Sequence, residues 1–235
     1  DTNTKVVCGM DGLIECATYD KADTVLNSVV GMVGLQPTLE AIKAKKTLAL
    51  ANKETLVAGG HLVTNLAKEN GVQILPVDSE HSAIFQSMQG MPNKKAIKKI
   101  ILTASGGPFF GKTLDELENV TAKDALKHPN WDMGAKITID SATMMNKGLE
   151  FIEAKWLFDM PNEDIEIVVH RESVVHSAIV YQDNSMIAQL GVPDMRIPIQ
   201  YALTYPERRA NTFPKLDFTQ LGGLTFYEVE HEKFP

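Results

Sequence analysis

The sequence predicts an α/β fold: a partial doubly wound parallel sheet over residues 1–77, followed by an α+β domain. Three observations predict it. Residues 1–77 alternate short apolar runs with helical stretches. Their apolar runs are near-continuous, as in strands buried on both faces of a parallel sheet. After Asp78 the pattern changes to strand-like segments that follow one another, with a hairpin signal at Asp183-Asn184.

In the first part, Asn27 to Val33 is a short Val-rich run, read as a strand, and Gly34-Leu35-Gln36-Pro37 ends it. Pro37 suits the first turn of a helix over Thr38 to Ala44. Lys46 to Ala51 is a second strand. Glu54 to Glu69 has helical periodicity through Leu56, Leu62, Val63 and Leu66, with Asn70-Gly71 as its stop. Val72 to Val77 completes a βαβαβ run.

Beyond Asp78, a helix is expected over Glu80 to Ser87 and a strand over Lys98 to Thr103. Ala104 to Phe110 is a Gly-rich loop. Thr121 with Asp124 signals a capped short helix, and His128 to Gly134 a loop. Lys136 to Ile139 reads as a brief strand and Ser141 to Phe158 as the strongest helix, capped by Asp140 or Ser141. Ile165 to His170, Val174 to Tyr181 and Ser185 to Leu190 are strands, expected to pair antiparallel. The expected domains are residues 1–77, residues 78–205 and a Pro-, Arg- and Asn-rich linker over residues 206–235.

Composition narrows the function classes. A chain of 235 residues, 44% hydrophobic, can bury a sizeable core. Its formal net charge of −7 argues against non-specific binding to nucleic acid or membrane surfaces. No run of 18 or so apolar residues is present, so no helical membrane span is expected. The two cysteines, Cys8 and Cys16, have neither metal-type nor redox-type spacing, which favours a reducing compartment. Asp1-Thr2-Asn3-Thr4 does not open a secretory signal.

Three segments can carry chemistry. Pro76-Val77-Asp78-Ser79-Glu80-His81 lies at the carboxyl end of an apolar strand, where ligands bind in open α/β sheets. Asp78 and Glu80, two apart in extended backbone, face one side and can converge on a cation. The alternative is an acidic helix N-terminus that complements the helix dipole. Next, Asp140 to Glu150 places Asn146, Lys147 and Glu150 on one helical face, with Ser141 nearby. Met145, Leu149, Ile152 and Trp156 form a separate apolar stripe, most simply core. A solvated Lys147–Glu150 pair is the other reading of the polar face, worth tenths of a kcal/mol. Gly148, which costs about 1 kcal/mol in a helix, suggests close approach by another group. The third segment is Ser105-Gly106-Gly107, whose N–H groups can form an anion nest, with a later loop carrying His128, Trp131 and Met133 that can close over a ligand.

Together these segments resemble the 1-deoxy-D-xylulose-5-phosphate reductoisomerase family. The resemblance rests on Ala51-Asn52-Lys53-Glu54, Pro76 through His81, Ser105 through Phe109, His128-Pro129-Asn130-Trp131, Asp140 through Glu150, and Gln189-Leu190-Gly191 with Pro193-Asp194-Met195-Arg196. They occur in the family's order over nearly the whole chain, and the run ending at Glu150 is the most specific.

The resemblance implies an enzyme, an NADPH-dependent oxidoreductase and isomerase of the non-mevalonate isoprenoid pathway. It rearranges its ketose phosphate and reduces the product to 2-C-methyl-D-erythritol 4-phosphate. Residues 1–77 are then an incomplete Rossmann-like NADPH domain, and residues 78–205 a catalytic and dimerisation domain. Asp78, Glu80 and Glu150 are the implied ligands of one Mg²⁺ or Mn²⁺, in keeping with three hard oxygen donors. Lys53, Glu80 and His128 are the implied catalytic residues. Ser105, Ser141, Asn146 and Lys147 would hold the substrate phosphate. Ser79, Lys53 and His128 would contact its hydroxyls, with Glu80 and Glu150 alongside and Trp131 as a lid. Asn52, Glu54, Gly134 and Met195, with Pro193, would lie against the nicotinamide half of NADPH. A phosphosugar substrate, a homodimer and a location in the bacterial cytoplasm or a plastid-type organelle follow by the same resemblance.

The sequence departs from the family pattern in lacking a Gly-x-Gly-x-x-Gly phosphate fingerprint. The expectation is a chain that starts partway through the cofactor domain and stops at His231 to Pro235, before a C-terminal helical domain. Such a chain would retain metal binding and bind NADPH poorly. Two other readings stand beside this one: a metal-dependent phosphosugar isomerase or aldolase without a redox step, and an inactive ligand-binding or dimerisation fragment.

Overall fold

A computed structural model describes residues 4–229. The expectations placed on Asp1-Thr2-Asn3 and on His231 to Pro235 lie outside the described residues. In the first half α1 (Gly9–Ala17) precedes a parallel sheet, β1 (Thr24–Asn27), β2 (Thr47–Leu50) and β3 (Ile74–Pro76), in that spatial order. The crossovers are α2 (Leu35–Lys43) and α3 (Lys53–Asn70). Gly71 ends α3 in the left-handed conformation expected of a C-terminal glycine. Ile42, Leu48, Leu50, Leu56 and Val63 form the core of this unit.

The second half follows α4 (Ser79–Ser87). Strands β4 (Ile97–Ala104), β5 (Ile165–Val169), β6 (Val175–Tyr181), β7 (Met186–Leu190) and β8 (Tyr227–Glu228) form a sheet in the order β7-β6-β4-β5-β8. It is mixed: β4 and β5 run parallel, and the other pairs are antiparallel. The parallel pair corrects the expectation of purely antiparallel pairing. A long helical excursion separates β4 from β5, which is what a parallel connection requires. That excursion holds α5 (Leu114–Leu117), α6 (Ala122–Ala125), α7 (Ala135–Ala142) and α8 (Met145–Phe158); α9 (Arg196–Thr204) follows β7. The capping box at Thr121 and Asp124 is present.

Four readings of local structure change. The Val-rich run at residues 27–33 is not a strand. Asn27 ends β1, and its amide donates to Gly34 O and Thr38 Oγ1, so that Val29 to Gly31 form a loop, with Gly31 at φ +83°, and Met32–Gly34 a 3-10 turn. Lys136 to Ile139 is helical, within α7. Its side chains bond in the helical sense, Thr138 Oγ1 to Gly134 O and Lys136 to Asp140, and these i, i+4 contacts override the alternating pattern. The helix expected over residues 141–158 is two helices, broken at Met144 with φ +61°. Asp140 and Ser141 therefore end α7 rather than cap α8. Finally, the tract after residue 206 is not only a connector: Tyr227 and Glu228 pair with Val169 and Val168.

The apolar stripe on α8 also faces differently. Its buried side is Lys147, Glu150, Glu153, Ala154 and Phe158, while Met145 is 56% and Ile152 37% exposed. The polar face points inward because α8 packs on α3, where Lys53 meets Glu150 and Glu80 of α4 meets Lys147.

Candidate active site

Two neighbouring parallel strands deliver the first part of the site. β2 ends at Leu50, and Lys53 opens α3 just beyond it. β3 ends at Pro76, and Asp78 caps α4 just beyond it, accepting from Ser79 N at 3.0 Å. Both groups thus stand at the carboxyl edge of the sheet. Asp78 and Glu80 converge through this strand-to-helix turn, not through extended backbone as expected. The third carboxylate, Glu150, comes from α8 and is 1% exposed. Oxygen atoms of Asp78, Glu80 and Glu150 all lie within 4.8 Å of one another.

Two ammonium groups sit among these carboxylates. Lys53 Nζ stands 2.8 Å from Asp78 Oδ2 and 3.3 Å from Glu150 Oε1, and donates to Asn146 Oδ1 at 2.7 Å. Lys147 Nζ stands 2.8 Å from Glu80 Oε1 and bonds Glu150 Oε2. Ser79 Oγ donates to Glu80 Oε2 at 2.6 Å. Burial works against charge at every one of these groups. Lys53 is nevertheless held well above its ordinary value by Asp78 and Glu150, and Lys147 is raised by Glu150 and Glu80. Asp78 is held well below the usual carboxylate range by Lys53 and His81, and Glu80 is lowered by Lys147. Glu150 is pushed up, by burial first and then by the charge of Glu80. Three anions and two cations in one buried pocket leave net negative charge, which suits a hard divalent cation.

Above this cluster lies a cavity of about 200 Å³. Lys53, Asp78, Ser79, Glu80, Ser105, His128, Trp131, Ser141, Asn146, Lys147, Glu150 and Met195 all line it. Ser105 Oγ lies 2.8 Å from His128 Nε2. Burial and the nearby Arg171 lower the His128 imidazole, which favours its neutral form. Gly107, at φ +65°, lets the Ser105 loop touch α7: a β-carbon there would fall 2.5 Å from Ser141 O.

Asn52, Glu54, Gly134 and Pro193 do not line this cavity. Asn52 caps α3 and donates to Val29 O and Gly31 O. Glu54 pairs with Lys136 at 3.2 Å, Gly134 precedes α7, and Pro193 is exposed. Gly148 also corrects an expectation: nothing lies within 4 Å of where its β-carbon would stand, so no group approaches it.

Sequence reasoning passed over four lining residues with chemistry: Met144, Ser173, His176 and His170. It also passed over Glu153, whose i, i+3 spacing from Glu150 was the available signal. Glu153 and His81 are buried beneath the cluster, with His81 Nδ1 3.5 Å from Glu153 Oε2 and 3.7 Å from Asp78 Oδ2. His81 Nε2 donates to the Glu150 carbonyl at 2.9 Å.

Fold and site together define an α/β protein whose cavity carries a carboxylate cluster able to hold a divalent cation. Sequence profiles of one family match in order along the chain: 1-deoxy-D-xylulose 5-phosphate reductoisomerase over residues 1–60, its C-terminal domain over residues 74–158, and a further DXP reductoisomerase C-terminal domain over residues 190–235. The chain belongs to the 1-deoxy-D-xylulose 5-phosphate reductoisomerase family. It is 62% identical to that reductoisomerase of Agathobacter rectalis, over all of this chain and 61% of the relative. It is 59% identical to reductoisomerase 1 of Bacillus thuringiensis subsp. konkukian, again over all of this chain and 60% of the relative. A crystal structure of a DOX-P reductoisomerase in complex with NADPH, fosmidomycin and magnesium superposes with a TM-score of 0.92 at 50% identity, covering 96% of this chain and 58% of that one. The Zymomonas mobilis enzyme in complex with NADPH gives a TM-score of 0.89 at 48% identity, covering 97% of this chain and 58% of that one. The chain thus spans about three-fifths of the length of the curated relatives it matches.

Proposed function

We propose that this chain forms the metal- and substrate-binding part of an enzyme that converts 1-deoxy-D-xylulose 5-phosphate to 2-C-methyl-D-erythritol 4-phosphate, with NADPH and Mg²⁺ or Mn²⁺, in non-mevalonate isoprenoid synthesis. The observation that carries this reading is the convergence of Asp78, Glu80 and Glu150 within 4.8 Å at the floor of the cavity. The donor set fits a hard cation: three carboxylates, with Asp78 Oδ2 buried and met only by the Lys53 ammonium and, at 3.7 Å, by His81 Nδ1. A divalent ion there supplies positive charge to polarise a substrate carbonyl and its adjacent hydroxyl.

The chain's own groups divide the remaining work. Lys147, Asn146, Ser141 and Ser105 offer ammonium, amide and hydroxyl donors to a phosphate, which a net-negative pocket needs locally. Lys53 Nζ, held protonated, donates to a substrate oxygen. His128 Nδ1 accepts from Asn130 N and Trp131 N, so its Nε2 carries the proton of the neutral ring and offers it as a hydrogen bond at the Ser105 side of the cavity. Trp131 flanks the cavity and excludes water. For NADPH, which supplies the hydride, Met195 lines the cavity and Gly134 has open space around it, so the nicotinamide end fits this side. Asn52, 2% exposed and bonded to Val29 O and Gly31 O, would support that side from behind rather than touch the cofactor, and Glu54 holds Lys136 beside it.

A homodimer is part of the same proposal: β7 is an edge strand with Met186 and Ile187 exposed, a surface suited to a two-fold partner. Among the described residues no helix is long and apolar enough to cross a membrane. A location in the bacterial cytoplasm or a plastid-type organelle belongs to the same proposal.

The test is a calorimetric titration of Mn²⁺ into the chain and into Glu150→Gln, with a phosphonate-hydroxamate substrate mimic present. Strong binding in the first and none in the second is expected. Equal binding in both would remove Glu150 from the metal set and overturn the reading of the site.

A further inference from the structure

One residue behind the cavity holds two of its loops, one through its side chain and one through its main-chain carbonyl. Arg171 lies in the turn between β5 and β6, and its Nη1 donates to Ser105 O at 2.6 Å and to Gly107 O at 2.7 Å. Its guanidinium stands 5.0 Å from the centroid of the Phe110 ring. Its own carbonyl accepts from Asn130 Nδ2, so the His128–Trp131 loop hangs on the same residue. On the cavity side, the contact between Ser105 Oγ and His128 Nε2 closes the ring.

Two consequences follow. In a trans peptide the N–H and C=O point to opposite sides, so drawing the Ser105 carbonyl back onto Arg171 turns the Gly106 N–H the other way. Gly106 and Ser105 both line the cavity. The charge of Arg171 is also left largely unspent. Among the described residues no carboxylate lies within 4.0 Å of it, and the nearby Glu172 is engaged by Thr225 and His170. A half-buried guanidinium bound only to carbonyl oxygens projects positive potential into the loop that it braces.

We propose that Arg171 is a positioning residue for the anion end of the cavity, setting the Ser105–Gly107 turn and adding the charge that selects a phosphate monoester dianion. This rests on the phosphosugar reading above and extends it to a residue that touches no substrate.

The test titrates inorganic phosphate into the metal-free full chain and, separately, Mn²⁺ into the phosphate-free chain, for the unaltered protein, Arg171→Met and Arg171→Lys. Arg171→Met should weaken phosphate binding about tenfold, because a positive charge is removed from behind the anion site and the turn it braces is loosened. Arg171→Lys should recover part of it, because it keeps the charge but not the fork. Mn²⁺ affinity should stay unchanged in both. Phosphate affinity in Arg171→Met equal to the unaltered chain overturns this inference alone. So does an Arg171→Lys variant no better than Arg171→Met, since a merely structural brace needs no charge. Should Arg171→Met fail to fold, Arg171→Lys decides: affinity equal to the unaltered chain overturns the proposal. An unaltered chain that binds Mn²⁺ but no phosphate overturns the anion subsite and this inference with it.

Discussion

The indole of Trp156 on α8 lies directly against Gly60 on α3, so closely that a β-carbon at Gly60 would fall 2.2 Å from Trp156 Cδ1. The same two helices bring Lys53 to Glu150, so this contact sets the spacing of the charged cluster. Gly60→Ala should therefore destabilise the chain by about 1–3 kcal/mol through overpacking. Denaturant unfolding followed by tryptophan fluorescence measures this, and an unchanged midpoint would show that the indole can move aside freely.

Gly148, on the same α8, predicts the opposite sign. It is exposed and helical, and nothing lies within 4 Å of the place a β-carbon would take. Gly148→Ala should stabilise by about 0.5–1 kcal/mol, from helix propensity alone. Thermal unfolding of the variant beside Gly60→Ala separates the two glycines; a loss of stability at position 148 would contradict the open surroundings.

That contrast shows what the sequence makes legible. Element type was readable where one period dominates, as over Glu54 to Glu69, and where caps are explicit, as at Thr121 or Gly71. Asp78, Glu80 and Glu150 could be singled out because they stand in short polar runs, and the structure brings their oxygens within 4.8 Å of one another; Lys53 came only through the family resemblance. The orientation of α8 was not readable. Met145, Leu149, Ile152 and Trp156 look like a core stripe, but of these only Trp156 packs against a core cluster, and the most buried face carries Lys147, Glu150 and Glu153. Charges face inward only when partners such as Lys53 and His81 arrive from distant segments, and no local pattern records that arrival. The break at Met144 is hidden for a similar reason: a left-handed methionine is set by its surroundings, not by propensity.

Lys53 competes with a metal for the same oxygens. Its ammonium lies 2.8 Å from Asp78 and 3.3 Å from Glu150. Lys53→Met removes one of two balancing cations and leaves buried carboxylates uncompensated, which should cost the metal-free chain about 3 kcal/mol. The same change deepens the negative potential and should tighten Mn²⁺ binding about tenfold. The rise in unfolding midpoint on adding Mn²⁺ should then be larger in Lys53→Met than in the unaltered chain. A smaller rise would mean that Lys53 orders the ligands rather than competing for them.

His81 gives the cluster a pH dependence. Burial alone would lower its imidazole, yet the charges of Glu153 and Asp78 hold it up at about 9, above the ordinary 6.5. The fold therefore binds this proton more tightly than the unfolded chain does. Its contribution to stability is fully present below about pH 6.5 and is lost as pH rises through about 9. Glu153, pushed up to about 7 chiefly by burial, acts in the same sense from its ordinary 4.5 upward. The metal-free chain should lose stability steadily between about pH 6.5 and 9, and His81→Gln should be less stable at the acid end with a flatter slope across that window. Parallel slopes in the two proteins, measured by urea unfolding at each pH, would show that the His81 proton is not held by the fold.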